Sequence, residues 1–278
     1  MSQPLVLAVA NQKGGVGKTT TSVNLAASLA TAERRTLLID CDPQGNASSG
    51  VGIAPRTAET TLYDVLIGSV PLSRAITKTA VPRLDVVPST QDLVAAEIEL
   101  IDREDRALVL RNALKGQIDD YACVVLDCPP SLGLLTLNAL SAADRVVVPL
   151  QCEYYALEGL THLMATIDRV RAAYNPNLSV EGIVLTMYDG RTSLTHQVAS
   201  EVQGHFKVFD TIIPRNVKLS EAPSHGMPAV LYDIQSKGAQ GYLSLAREII
   251  EANEKLRSVK PARGKGRSAA QSKEAKAR

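Results

Sequence analysis

Six short apolar runs set the limits on what this chain can become: Leu5–Ala10, Leu37–Ile39, Leu84–Val87, Ala122–Leu126, Val146–Val148 and Ile183–Leu185. Val, Ile and Leu fill them with little polar alternation. A strand with one wet face alternates, whereas a strand covered on both faces does not. Between the runs the period changes. Val23, Ala26, Ala27 and Ala30 fall at i, i+3, i+4 and i+7, one face of a helix. Tyr242, Leu245, Ala246 and Ile249 repeat that spacing in a segment predicted to end near Arg257. Strand–helix alternation of this kind predicts an α/β fold, a doubly wound, mainly parallel sheet with helices on both faces. Gly45–Pro82 is less regular and reads as loops with short helices. No repeat or linker divides residues 1–257, which are read as one domain.

Composition narrows the class. Of 278 residues, 45% are apolar and 21% charged, the balance of a globular chain and not a disordered one. No apolar run approaches the roughly 20 residues of a membrane-spanning helix. The N-terminus lacks the basic segment and apolar stretch of an export signal, so the expected compartment is the cytoplasm. Cys41, Cys123, Cys128 and Cys152 form no C-x-x-C pair and read as small buried apolar residues. His162, His196, His205 and His225 are scattered without metal spacing and read as structural or surface residues.

The net charge of +1 hides an asymmetry. Residues 258–278 carry seven basic side chains and one acid, leaving 23 basic and 28 acidic residues in 1–257. That tail has one bulky apolar side chain, Val259, so it cannot bury a face and is expected to be disordered. It reads either as a salt-sensitive hold on a polyanion or as a solvated tail. Without an apolar face it is a poor membrane anchor.

The segment Lys13-Gly14-Gly15-Val16-Gly17-Lys18-Thr19-Thr20 follows the first apolar run and opens the first helical face. Strand, glycine loop and helix in that order form a phosphate loop. Glycines let successive N–H groups turn toward one anion, and the helix N-terminus adds partial positive charge. Lys18 would lie along the β- and γ-phosphates, and the Thr19 hydroxyl would ligate Mg²⁺. The loop departs from G-x-x-x-x-G-K-[ST], because its first glycine position is Gln12. Instead it carries a second lysine, Lys13. One lysine suffices for one bound nucleotide, so the second needs another task.

Two acidic motifs agree. Asp40 and Asp42 end the second apolar run, in Asp40-Cys41-Asp42-Pro43-Gln44-Gly45. A carboxylate there can accept a hydrogen bond from an attacking water and orient it. Asp127 ends Val124-Val125-Leu126-Asp127, the pattern of a Walker-B acid that holds Mg²⁺ directly or through water.

Together these motifs resemble those of the ParA/Soj partition ATPases, in the deviant Walker A (MinD-like) P-loop group. The resemblance continues in Gln151–Gly159 (QCEYYALEG), Met187–Thr192 (MYDGRT) and Ile213–Gly226 (IPRNVKLSEAPSHG), and covers roughly residues 5–257. It implies ATP and Mg²⁺ as ligands and a nucleotide-sandwich homodimer. In such a dimer Lys13 reaches the partner's phosphates in trans, Lys18 binds phosphate in cis and Asp42 positions the hydrolytic water. By the same resemblance the nucleotide lies on Lys13, Gly14, Gly15, Val16, Gly17, Lys18, Thr19 and Thr20, with Thr19 and Asp127 at the metal. Pro214, Arg215 and Asn216 resemble the adenine-recognition loop.

The resemblance also implies non-specific binding of double-stranded DNA on the nucleoid, and hydrolysis stimulated by that DNA and by the basic N-terminal peptide of a ParB-type centromere-binding partner. Because the body is net acidic, DNA requires a local basic surface. Arg191, Arg215 and Lys218 are the candidates, with Lys237 a weaker one. The expected function is chromosome or plasmid segregation. The alternatives are a positioning ATPase for another cargo and an ATP-dependent amide- or carboxylate-activating ligase. Only four residues precede the first apolar run, so the helix-turn-helix domain of large plasmid-type relatives is not expected. Neither is the membrane helix of MinD. Cys128-Pro129-Pro130 does not resemble the cluster-bridging cysteine context of the nitrogenase iron proteins.

Overall fold

The computed structural model describes residues 3–54 and 57–259. Its strands are β1 (Leu5–Val9), β2 (Thr36–Asp40), β3 (Thr77–Lys78), β4 (Leu84–Val87), β5 (Cys123–Asp127), β6 (Arg145–Gln151), β7 (Ser179–Tyr188) and β8 (Val208–Pro214). They form one sheet in the order β3-β4-β2-β5-β1-β6-β7-β8. Every neighbouring pair is parallel except β3 with β4. The six apolar runs are six of these strands. The other two, β3 and β8, form the sheet's edges, where burial on both faces is not demanded. β3 is two residues long, and β8 mixes polar with apolar residues in VFDTIIP.

The helices are α1 (Lys18–Thr31), α2 (Asn46–Gly50), α3 (Leu62–Ile67), α4 (Leu72–Ala75), α5 (Leu93–Glu99), α6 (Val109–Leu114), α7 (Leu134–Ala142), α8 (Ala156–Ala173), α9 (Ser193–His205), α10 (Val217–Glu221), α11 (Ala229–Tyr232) and α12 (Lys237–Val259). The segment Gly45–Pro82 contributes α2, α3 and α4, together with β3.

The central strands feed two cores, one on each face. Val6 and Ala8 of β1 point to the face covered by α3 to α9, and Leu7 and Val9 to the face covered by α1 and α12. The predicted helical faces are the packed ones. Val23, Ala26, Ala27, Ala30, Tyr242, Leu245, Ala246 and Ile249 are all buried in that second core. α12 carries the folded chain to Val259, two residues past the expected boundary. From residue 260 on, the expected basic tail lies outside the described residues.

β1 is flanked by β5 and β6, and the helices after β1 and β5 go to opposite faces. That is a switch point of the topology, where strand ends leave a crevice. At the far edge, β8 is covered from the side. The backbone N–H groups of Asp210 and Thr211 donate to the Glu248 carboxylate of α12, at 2.9 and 3.2 Å.

All four cysteines are free and buried. Burial pushes the Cys41 and Cys128 thiols up, which keeps them protonated and unreactive. The four histidines are exposed. No helix among the described residues is long and apolar enough to cross a membrane.

Candidate nucleotide site

The loop between β1 and α1 takes its shape from glycine. Gly15 and Gly17 have φ of +73° and +86°, the left-handed region that a Cβ disfavours. Four bonds brace the loop. The Thr186 hydroxyl of β7 donates to the Val16 carbonyl at 2.8 Å. The Asn11 amide donates to Pro149 O at 2.8 Å, and its oxygen accepts from Lys13 N at 3.0 Å. Lys18 Nζ donates to Lys13 O at 2.9 Å. Lys18 is buried, and burial pushes its pKa down while the nearby Asp127 works against the shift.

A cavity of about 440 Å³ opens at the strand ends, a size that suits a nucleotide. Gly14, Gly15, Gly17, Lys18, Thr19 and Thr20 line one side of it, with Asp42, Gln44, Asn46 and Pro130 beside them. Thr186, Met187, Ile213, Pro214, Arg215, Asn216, Leu219, Ser220 and Tyr242 form the rest. The expected base loop is therefore in the same cavity as the phosphate loop. Asn216 uses its side-chain oxygen to cap α10, accepting from Lys218 N at 3.0 Å. Its amide nitrogen is left for a ligand.

The two acids of the Asp40–Asp42 turn divide their work. Asp40 is structural: Oδ2 accepts from Ser48 N at 2.8 Å and Ser48 Oγ at 2.7 Å, and Oδ1 accepts from Asp42 N at 3.2 Å. Burial raises its pKa to about 6. Asp42 instead faces the cavity, with one oxygen accepting from Gln44 N at 2.9 Å.

Asp127 is fully buried. Ser22 Oγ donates to Oδ1 at 2.7 Å, while Oδ2 has no partner. Burial, reinforced by Asp40, pushes its pKa up to about 8, against the Ser22 and Thr19 hydroxyls. An orphaned carboxylate oxygen beside a threonine hydroxyl suits a hard, oxygen-seeking cation. No cluster of three or more His, Cys, Asp or Glu among the described residues could hold a metal alone. The donor set fits Mg²⁺, which keeps waters and shares phosphate oxygens.

Lys13 stands apart. It does not line the cavity, and its Nζ pairs with Glu153 Oε2 at 2.5 Å. Glu153 leads into the exposed Tyr154 and Tyr155, whose rings meet edge to face at 5.1 Å.

The basic candidates gather where β7 and β8 end, since Tyr188 pairs with Pro214. Arg215 is exposed there. The Arg191 side chain is 88% exposed, but its guanidinium makes a two-pronged pair with Asp189, at 2.8 and 2.7 Å. That pair holds the Asp189 carboxyl well below the usual carboxylate range. Lys218 pairs with Glu221 at 3.0 Å and lies over the Tyr232 ring. Lys237 is the first residue of α12. The expected surface is therefore partly neutralised in cis.

Several residues of the site escape sequence reasoning. Thr186 looks like any strand threonine. Tyr242 reads as core, yet it also lines the cavity while its hydroxyl bonds Thr21 Oγ1 at 3.1 Å. Ser22, Ser48 and Glu153 act through partners 105, 8 and 140 residues away, which no local pattern encodes.

A family model described as an AAA domain matches residues 5–180. The chain is similar to the chromosome partitioning protein ParA of Myxococcus xanthus, 56% identical over 248 residues that cover 88% of each chain. It is 53% identical over 246 residues to the sporulation initiation inhibitor protein Soj of Bacillus subtilis, covering 88% of this chain and 97% of that one. Among solved structures, it resembles cobyrinic acid a,c-diamide synthase from Mycobacterium smegmatis, seen with ADP and magnesium and with an ATP analogue and magnesium. That likeness has 37% identity and a TM-score of 0.80, over 91% of this chain and 96% of the other.

Proposed function

The chain belongs to the ParA/Soj family of chromosome-partitioning ATPases, and from that premise we propose that it is a dimerising switch that carries DNA-segregation machinery over the nucleoid. ATP and Mg²⁺ are its ligands. ATP closes a homodimer, the dimer binds duplex DNA without reading bases, and hydrolysis releases it. A ParB-type centromere-binding partner and DNA stimulate that hydrolysis.

One observation carries the reading. Lys18, Thr19 and Asp42 line one cavity, Asp127 lies buried against Thr19 and Ser22 with one oxygen unpartnered, and Lys13 is kept outside the cavity on Glu153. Lys18 and the amides of the loop and of the start of α1 neutralise the phosphates. Asp127 and Thr19 would hold the cation, which would offset negative charge on the phosphates. Asp42 accepts a hydrogen bond from the attacking water and aligns it. Lys13 leaves Glu153 and crosses to the partner's phosphates, adding positive charge where negative charge develops. Since part of the site comes from the second subunit, turnover is slow until the dimer forms. Arg191, Arg215 and Lys218 would meet DNA phosphates.

The test is binding to a random-sequence duplex with ATP, with ADP and without nucleotide, at two salt concentrations, beside the Asp42→Ala and Lys13→Ala variants. The proposal requires ATP-dependent, salt-sensitive binding. It also requires that Asp42→Ala trap the dimer and that Lys13→Ala lose stimulated hydrolysis. Equal binding in all three states would defeat it. The likeness to a diamide synthase supports a second reading, an ATP-dependent ligase of the same loop class. A small molecule that raises turnover in place of DNA and partner would establish that one. Identity of 56% to a chromosome partitioning protein favours the switch.

A further inference from the structure

Arg191 sits on the turn between β7 and α9, and that turn is held in two ways. Its ends are tied by local bonds. Arg191 N and Thr192 N both donate to Asp189, at 3.1 Å to Oδ1 and at 3.4 Å to the backbone carbonyl. Thr192 caps α9, its hydroxyl oxygen accepting from Thr195 N at 3.3 Å. The middle of the turn depends on a residue from outside it. His196, in the first turn of α9, donates from Nε2 to Gly190 O at 2.8 Å.

The same ring reaches the sheet. His196 Nδ1 lies 3.2 Å from the Tyr188 hydroxyl, and the two rings meet edge to face with centroids 6.1 Å apart. A carbonyl only accepts, so Nε2 carries a hydrogen, and in the neutral ring Nδ1 accepts from the Tyr188 hydroxyl. Tyr188 is the last residue of β7 and is itself anchored. It pairs with Pro214 in the sheet, and its carbonyl accepts from Arg215 N at 3.3 Å. The imidazole is thus a strut between the strand end that holds Arg215 and the turn that carries Arg191. Burial does not explain it, because His196 is exposed. Nor does the helix require it, since Thr192 already supplies the cap. The Asp189–Arg191 pair lies wholly within the turn, so it cannot set the turn's place on the molecule.

We propose that His196 is a positioning residue of the DNA surface, its imidazole fixing the Arg191 turn against Tyr188 so that Arg191 and Arg215 are set for the phosphates of a duplex before one arrives. The proposal rests on reading Arg191 and Arg215 as phosphate contacts. His196 itself need touch no DNA. A turn ordered in advance loses less conformational freedom on binding, so the same phosphate contact holds more tightly.

The experiment compares full-length His196→Ala, His196→Gln, Arg191→Ala and the double variant His196→Ala with Arg191→Ala against the unsubstituted chain. Alanine suits an exposed helical position, so the fold is not at stake. Anisotropy titrations with a random-sequence duplex, magnesium and a non-hydrolysable ATP analogue give affinities across a salt series. Sedimentation velocity gives the dimer constant. His196→Ala should weaken duplex binding by about two- to tenfold, the span of one net hydrogen bond, and leave the dimer constant unchanged. Its salt slope should stay that of the unsubstituted chain, because no phosphate contact is removed. His196→Gln should recover most of the affinity, since its amide can donate to Gly190 O while its oxygen accepts from Tyr188. In the Arg191→Ala background, His196→Ala should cost less than about twofold, because the contact it prepares is gone. Full affinity in His196→Ala would overturn the proposal. So would the same loss with and without Arg191, or a loss that follows a weakened dimer. Arg191→Ala tests the underlying reading separately. If that variant binds the duplex as the original does, Arg191 is no phosphate contact and the strut falls with it. A normal Arg191 loss beside an unaffected His196→Ala removes the strut alone.

Discussion

Replacing Glu153 with Gln should make the protein dimerise more readily. Glu153 is the counter-ion of Lys13, and the proposed dimer requires Lys13 to abandon it for the partner's phosphates. The side chains are 34% and 48% exposed, so the pair belongs to the solvent-screened class. Such pairs contribute roughly 0.2–1 kcal/mol each. A symmetric dimer breaks two of them, so the total is about 0.4–2 kcal/mol, or roughly a two- to thirtyfold tighter dimer. Sedimentation velocity with magnesium and a non-hydrolysable ATP analogue measures the constant. The gap between Glu153→Gln and the original should shrink as salt rises from 0.1 M toward 1 M, where the screening length falls from about 10 Å to about 3 Å. An unchanged dimer at low salt would refute the reasoning. A weaker dimer would refute it more sharply, since it would mean that Glu153 guides Lys13 across the interface instead of holding it back.

Three further outcomes are expected. Asp127 has a folded pKa near 8, raised above its unfolded value by burial, so the nucleotide-free protein should lose stability as pH rises from about 4 to about 8. Asp127→Asn should flatten that slope in thermal melts and abolish the stabilisation that magnesium with nucleotide provides. Asp189→Ala frees the Arg191 guanidinium and should tighten ATP-dependent DNA binding. Arg191→Ala should weaken that binding and reduce the salt slope by about 0.9, one phosphate contact, in anisotropy titrations. Thr186→Val leaves the Val16 carbonyl without its buried donor and should cost about 1–3 kcal/mol in denaturant unfolding, with weaker ATP binding.

The parts of the molecule that could be read in advance are those whose chemistry is local. A doubly covered strand shows itself in an unbroken run such as Cys123–Asp127, and the phosphate loop compresses its glycines, lysine and threonine into eight residues. β8 was hidden because an edge strand needs no such run, and β3 because two residues carry no period. Asp42 and Asp127 were legible at strand ends. The separation of Asp40 from Asp42 was not, because it depends on Ser48 claiming one carboxylate from eight residues away. The Asp189 clasp on Arg191 lies in adjacent sequence, but a turn of charged residues reads equally well as solvated surface.

Glu248 has a consequence beyond the site. A parallel sheet ends in a ladder of unused amides, the usual template for one chain adding to another. Here one border is a strand of two residues, and on the other a carboxylate from α12 occupies two consecutive amides. Copies of this protein crowded together thus find fewer free amides at either border on which to extend the sheet.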